Sequence, residues 1–216
     1  PYFCEQLLKS LVENGTIVIN GPSVTLGLLD SAAIPSTVEG VIVSRLDRFD
    51  LESQQCLKAA SVVGRRHLIA TVQACLPTVD VAAVLEGMGA DGLLRRVNDS
   101  TFEFQHVIAR DVVYDLMTEQ QRRQLHRIVA DQLERSGGGV SAATVGRHWR
   151  QAGEYAVALD YLERAASDAL GSGSFAGTVA LLDEAADVCV AGSLELGADQ
   201  RARLALQRAR ASYYLG

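Results

Sequence analysis

Glycine and proline divide the middle of this chain into short helical segments, and these breaks limit the fold more than any other feature. From Val38 the apolar residues recur at helical spacing, and Asp50 can cap a helix that ends at Gly64. The apolar face of that helix consists of Cys56, Leu57, Ala60 and Val63. HLIATVQACL predicts a second helix closed by Pro77, and VAAVLEGMGADGLL predicts a third. The apolar face of the third consists of Val81, Val84, Leu85 and Met88.

A small β-hairpin follows these three helices. Arg95-Arg96-Val97 and the stretch from Thr101 to Phe104 have strand character, and Asn98-Asp99-Ser100 between them favours a turn. Three helices followed by a small hairpin is the element order of a winged-helix domain. The sequence therefore predicts a mainly α fold that contains a winged-helix domain.

The first 40 residues have a different pattern. A helical stripe ends at Gly15 and is formed by Phe3, Leu7, Leu8, Leu11 and Val12. TIVINGPSVTL then predicts two short β segments around Asn20-Gly21-Pro22, and GLLDSAAIPSTV predicts a connector.

A capped helix and a glycine break come after the predicted winged helix. Thr118-Glu119-Gln120-Gln121 has the S/T-x-x-E/Q form of a capping box. The helix after it carries an apolar stripe formed by Leu125, Ile128, Val129 and Leu133. SGGG at 136–139 then breaks the chain, so we expect a boundary there.

Beyond the glycines, alanine-rich helices repeat with small turns between them. AGEYAVALDYLERAA places Gly153, Tyr155, Ala158, Leu162 and Ala165 as a tetratricopeptide repeat does. GSGSFAGTVALLDEAA repeats this with Gly173, Phe175, Thr178, Leu182 and Ala185. The offset is 20 residues instead of the usual length of about 34, so we expect an irregular α-solenoid in which RARLALQRARASYYLG begins another unit. Trp149 is expected in its core.

Composition and charge exclude several classes of protein. Hydrophobic residues make up 48% and charged residues 21%, which is typical of a globular chain and not of a disordered one. No apolar run approaches the roughly 20 residues that span a bilayer, so we expect a cytoplasmic protein without membrane contact. The net charge is −6, and no region has the basic excess that nucleic-acid binding requires. The four cysteines are far apart and lie among apolar neighbours, which predicts buried thiols and no metal site.

Two further functions can be weighed on individual residues. A catalytic interpretation would use His106, Asp111 and Tyr114, but no nucleophile follows in a strained turn and no P-loop motif is present, so we expect no catalytic residues. A winged helix that reads DNA would insert its third helix, here roughly Asp80 to Arg96. That stretch carries three acidic and two basic residues and would be repelled by phosphate.

Four stretches of the chain, in order, resemble a known multidomain arrangement. They are PYFCEQLLKSLVENGTIV, IPSTVEGVIVSRLDRFDLESQQCLKAASVVGRRH, FEFQHVIARDVVYDLMTEQQRRQLHRIVADQLE and AGEYAVALDYLERAA. Together they resemble the part that follows the nucleotide-binding domain in signal-transduction ATPases of the STAND class, most closely those fused to class III adenylate/guanylate cyclases. The pattern FxFxHxxxRDxxY…RRxLH is typical of these ATPases.

The resemblance implies a division of the chain and a set of partners. Residues 1–36 would be the tail of the ATPase lid region, 37–135 the winged-helix regulatory domain with its connecting helix, and 140–216 the truncated tetratricopeptide array. The fragment itself would have no cofactor, whereas the parent protein would bind ATP or ADP with Mg²⁺. Its partners would be the nucleotide-binding domain of the same chain and a protein or small-molecule signal on the repeats.

The resemblance also implies a site. In the better-understood members a histidine of the winged helix contacts the β-phosphate of ADP, and this role would fall to His106, with Arg110 one helical turn further on. The sequence here is Gln105-His106-Val107 in place of Met-His-Asp, and the alternative is that His106 packs the wing on the next helix. His67 stands where relatives usually have an aromatic residue, so it is expected either as a partly buried neutral imidazole or as an exposed side chain.

Two other functions fit the same order of elements. One is a large ATP-dependent transcriptional regulator of the LuxR type, which would add a separate DNA-binding helix-turn-helix. The other is a tetratricopeptide scaffold that only binds proteins.

Overall fold

The described part of the chain is mainly helical. The computed structural model describes residues 12, 17–20, 23–26, 38–137 and 139–215. Within these residues there are ten α-helices, a two-stranded antiparallel sheet and a three-stranded antiparallel sheet. Contacts between Cα atoms divide the chain into two compact units, the first ending at Met117 and the second beginning at Thr118.

A separate hairpin precedes the helices of the first unit. Strand β1, Ile17–Asn20, pairs antiparallel with β2, Ser23–Leu26, in a register that joins Ile17 to Leu26 and Asn20 to Ser23. This pairing confirms the hairpin predicted from TIVINGPSVTL. The helix predicted to end at Gly15 and the connector predicted before Val38 lie outside the described residues, apart from residue 12.

The rest of the first unit alternates short helices with three strands. The helices are α1 Val38–Leu46, α2 Leu51–Val63, α3 Ile69–Cys75, α4 Val81–Gly87, a 3-10 turn Met88–Asp91, and α5 Val107–Asp115. The strands are β3 Arg66–Leu68, β4 Leu94–Asn98 and β5 Thr101–Phe104. The predicted cap of α2 is confirmed, since the Asp50 carboxylate accepts the Ser53 backbone N–H at 2.7 Å and Gly64 ends the helix.

Strand β5 lies at the centre of the three-stranded sheet. The strand order is β3-β5-β4, and both pairings are antiparallel, with Arg66 and Arg95 both opposite Glu103. The predicted hairpin of β4 and β5 is confirmed, including the turn after Asn98. Strand β3 was missed, because His67 and Leu68 were assigned to the second helix, which begins only at Ile69. A three-residue strand is too short to show an alternating pattern in sequence.

The third predicted helix is shorter than expected. The stretch from Asp80 to Arg96 was considered as one DNA-reading helix, but the helix ends at Gly87 and its 3-10 extension ends at Asp91. Arg95 and Arg96 lie on β4, as the hairpin prediction has it, and not on this helix. Glu86 and Asp91 are therefore the only charged residues from Val81 to Asp91, which strengthens the argument against phosphate contact by this helix.

Apolar side chains between Val41 and Met117 form a buried core in the first unit. Its largest fully buried side chains are Ile42, Leu57, Leu85, Met88, Leu93, Leu94, Phe102 and Phe104. Cys56 and Cys75 are buried there as free thiols, as predicted, whereas Cys189 in the second unit is only partly buried. Burial raises the pKa of Cys56 to about 11 and that of Cys75 to about 12, so both thiols stay protonated at neutral pH. Cys4 lies outside the described residues.

The second unit consists of five helices. They are α6 Glu119–Ser136, α7 Ala142–Ala152, α8 Tyr155–Gly171, α9 Phe175–Gly192 and α10 Ala198–Leu215. The predicted capping box of α6 is confirmed in both directions, at 3.2 Å from Gln121 N to Thr118 Oγ1 and 3.0 Å from Thr118 N to Gln121 Oε1. Gly137 ends α6 in the left-handed conformation, as the glycine break predicts.

Helix α6 groups with the helices that follow it. Its buried face, which includes Val129 and Ala130, packs against α7, so the division between units falls before α6 at Met117. The sequence predicts the boundary after this helix, near residue 135, because the glycines of SGGG are the strongest break in the helical pattern. The functional division into 1–36, 37–135 and 140–216 stays a prediction.

Small residues let the helices of the second unit approach closely. The core includes Ala130, Val145, Trp149, Ala158, Leu162, Ala185 and Val188. Trp149 is buried, as predicted, and its indole N–H donates to Glu134 Oε1 at 2.6 Å. A Cβ placed on Gly192, the last residue of α9, would lie 2.5 Å from Cβ and 2.9 Å from Cγ of Tyr155, the first residue of α8.

Gly192→Ala is expected to destabilise the second unit by about 1–3 kcal/mol, because the methyl group would meet the base of the Tyr155 side chain, which cannot move without its backbone. The matched control is Gly171→Ala at the end of α8, where nothing lies within 4 Å and the change should be neutral or stabilising by up to about 1 kcal/mol. Urea unfolding monitored by the fluorescence of Trp149, the single tryptophan, measures both variants. Equal stability of the two variants would contradict the close approach.

Candidate phosphate-sensing site

His106 stands at the junction between the sheet and helix α5. It occupies the N-cap position of α5 with extended backbone angles, and its side chain makes no capping hydrogen bond. Its carbonyl accepts the Ala109 backbone N–H at 3.1 Å, and its side chain is half-buried. The N-terminus of a helix favours negative charge, so this position is compatible with the predicted contact to a phosphate.

Backbone hydrogen bonds fix this junction from both sides. Phe104 N donates to Arg65 O at 2.8 Å on the β3 side, and Gln105 N donates to Leu93 O at 3.0 Å on the β4 side. The Gln105 side chain also donates to Leu94 O at 3.3 Å. Phe104 is therefore the last residue that the sheet holds on both sides, and His106 follows it by two residues.

Arg110, the second predicted residue of the site, fastens α5 to α2. Its Nε donates to the carbonyl of buried Ser61 at 2.8 Å, and one terminal nitrogen donates to Asp111 at 2.9 Å. Its guanidinium also lies 4.7 Å from the centre of the Tyr114 ring. These contacts use Nε and one terminal nitrogen of the guanidinium within the unit. The predicted contact with phosphate would therefore have to use the remaining N–H donors.

Arg65 is a cation near His106 that the sequence analysis missed. It is exposed, and its Nε donates to Phe104 O at 3.4 Å, two residues before His106 in the chain. The pairing of β3 with β5 brings it there across 39 residues of sequence. The only local signal was its position after Gly64 in VVGRRH.

Glu103 forms the centre of a charged row across the outer face of the sheet. It accepts hydrogen bonds from Arg95 Nε at 2.7 Å and from Arg66 Nε at 3.1 Å, and it is buried. The hydrogen bond from Arg95, together with that from Arg66, lowers the pKa of Glu103 from its ordinary value. The carboxylate of Glu103 neutralises one of the two exposed arginines. The row therefore has a net charge of +1.

His67 is a buried neutral histidine inside the first unit. Only 2% of it is exposed, its Nδ1 lies 3.3 Å from Gly64 O, and its ring packs against Phe104. Burial lowers the pKa of His67 to about 4. Its Nε2 is buried without a hydrogen-bond partner among the described residues. Of the two expectations for His67, the buried neutral imidazole is confirmed.

A second pair of histidines lies buried in the second unit. Nδ1 of His126 on α6 lies 2.9 Å from Nδ1 of His148 on α7, so one proton between them joins the two helices. Sequence reasoning did not assign a role to either residue. His126 precedes Val129 and Ala130 by three and four residues, and this spacing was the available signal that it belongs to the buried stripe.

A cavity of about 290 Å³ opens in the second unit. It lies between the end of α6, the start of α7 and the side of α8. Its polar lining residues include Glu134, Tyr161, Arg164 and Asp168. The Arg164 guanidinium lies over the Tyr161 ring, 4.9 Å from its centre.

The described residues include neither a cluster suited to a metal ion nor a helix suited to crossing a membrane. No group of three or more His, Cys, Asp or Glu side chains is arranged to hold a metal ion in this part of the chain. None of the helices described is both long and apolar enough to cross a membrane. Comparison with protein-family models, with curated proteins and with solved structures finds no match to the chain.

The buried His67 predicts an acid-sensitive first unit. Its pKa is below the value of about 6.5 for an exposed histidine, so protons bind the unfolded chain more tightly. The stability that this produces is complete above pH 6.5 and decreases as the pH falls towards 4, by about 3 kcal/mol in total. His67→Leu should remove this loss, and urea unfolding by circular dichroism across this pH range measures it.

In the same experiment, Trp149 fluorescence follows the unfolding of the second unit separately, because the single tryptophan lies there. His106→Leu is the matched control, since the same change at a half-buried histidine should leave the acid-dependent loss in place. If His67→Leu lost as much stability in acid as the unaltered chain, burial of a neutral imidazole could not be the cause.

Proposed function

We propose that this chain is the regulatory part of a multidomain signal-transduction ATPase of the STAND class. In this proposal it has no catalytic residues of its own, and it controls the output of a cytoplasmic parent enzyme, most closely one that carries an adenylate or guanylate cyclase. The nucleotide, ATP or ADP with Mg²⁺, belongs to the nucleotide-binding domain of that parent.

The order of elements in the first unit supports the proposal most directly. Helix α2, strand β3, helices α3 and α4 and the hairpin of β4 and β5 follow one another, and the sheet order is β3-β5-β4. This arrangement is compatible with a winged-helix domain, and β3 supplies a strand that the sequence analysis had not identified. His106, to which the resemblance assigns the phosphate contact, lies two residues after the last strand of this arrangement and is the N-cap residue of the next helix.

The second unit supports a role in receiving a signal. Helices α7, α8 and α9 pack in sequence, with the turns between them at Gly153 and Gly173 in the left-handed conformation. Ala158, Leu162 and Ala165 on α8 and Thr178, Leu182 and Ala185 on α9 are buried. This pattern fits tetratricopeptide-like repeats, whose surfaces bind proteins or small molecules. The cavity beside Arg164 and Asp168 is where we place a small-molecule signal.

The regulatory step is a shift between two arrangements of domains. In the resting state His106 would contact the β-phosphate of ADP and hold the nucleotide-binding domain closed, and a signal on the repeats would favour the open arrangement. Arg65 adds an exposed cation beside the junction, whereas Arg110 chiefly holds α5 in place. A basic DNA-reading surface has no support, because α4 and its extension carry only acidic charges.

His106→Ala in the full-length protein should shorten the retention of ADP and raise the basal output. The expected loss of affinity is roughly tenfold, which is typical of one hydrogen bond to a charged group. The release of a fluorescent ADP analogue, followed by stopped flow, measures retention. Val107→Ala is the matched control, because this exposed neighbour on α5 should leave ADP release unchanged. Unchanged retention in His106→Ala would remove the phosphate contact from the proposal.

A further inference from the structure

The cavity between α6, α7 and α8 is lined by charges of both signs. Glu134 comes from the end of α6, and Arg164 and Asp168 come from the side of α8. None of the three forms an ion pair among the described residues, although Arg164 precedes Asp168 by one helical turn. Charges of both signs on a concave surface suit a ligand that itself carries both signs.

The carboxylate of Glu134 is held in position by its neighbours. Its Oε1 accepts the indole N–H of buried Trp149 at 2.6 Å, and the hydroxyl of Tyr161 lies beside it. Burial, together with the hydrogen bond to Glu134, raises the pKa of Tyr161, so its hydroxyl stays protonated and donates to the carboxylate. A carboxylate has about four lone-pair sites, so two donors leave room for an ammonium group of a ligand. Asp168 adds a second carboxylate to the same cavity.

Arg164 supplies the positive charge of the cavity. Its guanidinium lies over the ring of Tyr161, 4.9 Å from the ring centre, and this stacking limits its orientation. A planar guanidinium binds a carboxylate through two parallel N–H···O bonds. Because no carboxylate of the described residues forms an ion pair with Arg164, its donors suit the carboxylate of a ligand.

The apolar lining and the volume of the cavity define the rest of the ligand. Leu133 and buried Val145 give the cavity an apolar wall. Since one water molecule takes up about 30 Å³ in the liquid, the cavity has room for roughly ten non-hydrogen atoms. A nucleotide is too large for this space and would be repelled by two carboxylates, whereas a diamine would be repelled by Arg164. A small zwitterion with an apolar group is complementary to all parts of the lining.

We propose that this cavity binds a free α-amino acid with an apolar side chain. The ammonium group pairs with Glu134 and Asp168, the carboxylate pairs with Arg164, and the side chain packs against Leu133 and Val145. A ligand of this size binds with a dissociation constant of about 10 μM to 1 mM. That the amino acid is the signal received by the repeats rests on the proposed function, whereas its binding can be measured on the chain alone.

Titration of the 216-residue chain with L-leucine, L-isoleucine, L-methionine and L-phenylalanine tests the site, by calorimetry and by the fluorescence of Trp149. We expect at least one of them to bind and to change the fluorescence, because the indole N–H is bonded to Glu134. The matched ligands are the N-acetyl derivative of the tightest binder, which lacks the ammonium group, and its amide, which lacks the carboxylate. Each should bind at least tenfold more weakly, because each leaves one charge of the cavity without a partner. If none of the four amino acids binds at about 10 mM, the proposal is overturned.

Two substitutions test which charge binds which end of the ligand. Arg164→Gln should weaken binding of the amino acid at least tenfold and leave binding of its amide unchanged. Glu134→Gln should weaken binding of the amino acid several-fold and leave binding of its N-acetyl derivative unchanged, and its side-chain carbonyl can still accept the Trp149 N–H. The matched control is Arg201→Gln, an exposed position on α10 outside the cavity, which should bind like the unaltered chain. Circular dichroism confirms that each variant keeps its helices.

The outcomes separate the site from the proposed function. Equal binding of the amino acid by Arg164→Gln and by the unaltered chain would overturn the site, and the test of His106→Ala would still decide the phosphate contact. In the full-length protein the amino acid should shorten the retention of ADP. If it binds the chain as expected and leaves retention unchanged, the site stands and its role as the signal is wrong.

Discussion

The pairing of β5 with a strand on each side is the interaction on which the first unit depends. Because Thr101–Phe104 lies between β3 and β4, all four of its residues are buried. Phe102 and Phe104 enter the core, and Glu103 on the other face is covered by the side chains of Arg66 and Arg95. The same pairing places His67 in the core opposite Phe102, and β5 ends at Phe104, two residues before His106. The register of β5 with its two neighbours thus determines the core, the charged row of Glu103 and the position of the candidate site.

Close helix packing plays the corresponding part in the second unit. Gly146 on α7 would place a Cβ 3.1 Å from Cβ of Tyr161 and 3.3 Å from Cγ of Leu162, so its lack of a side chain sets the distance between α7 and α8. Gly192 does the same where α9 passes the start of α8. The buried His126 and His148 join α6 to α7 by a hydrogen bond, in addition to the one that Trp149 donates to Glu134. A shared proton between two imidazoles is directional, which fixes the rotation of one helix against the other.

Local signals in the sequence predicted the parts of the fold that local chemistry determines. Asp50 and Thr118 cap the helices that they were expected to cap, and Gly64 and Gly137 end them, because a cap is decided within four residues. Strand β3 was missed because its stability comes from β5, more than thirty residues away. The burial of Glu103 was missed for the same reason, since its two arginines are neighbours only across the sheet. Short helices can be predicted from the periodicity of their own apolar residues. The register of a strand cannot be predicted without knowing its partner strand.

The candidate site shows the same limit, and it changes how Arg110 should be interpreted. In sequence, Arg110 follows His106 by one helical turn, which suggests that the two side chains act on one ligand. In the structure, Arg110 Nε bonds the carbonyl of Ser61 near the end of α2, a group that the helix cannot satisfy internally. Removing Arg110 would therefore leave a buried carbonyl without its partner and loosen α5, which also carries the junction at His106. If a substitution of Arg110 weakened the response to nucleotide, the cause would be a displaced α5. If a substitution of His106 weakened it, the cause would be the loss of the proposed phosphate contact.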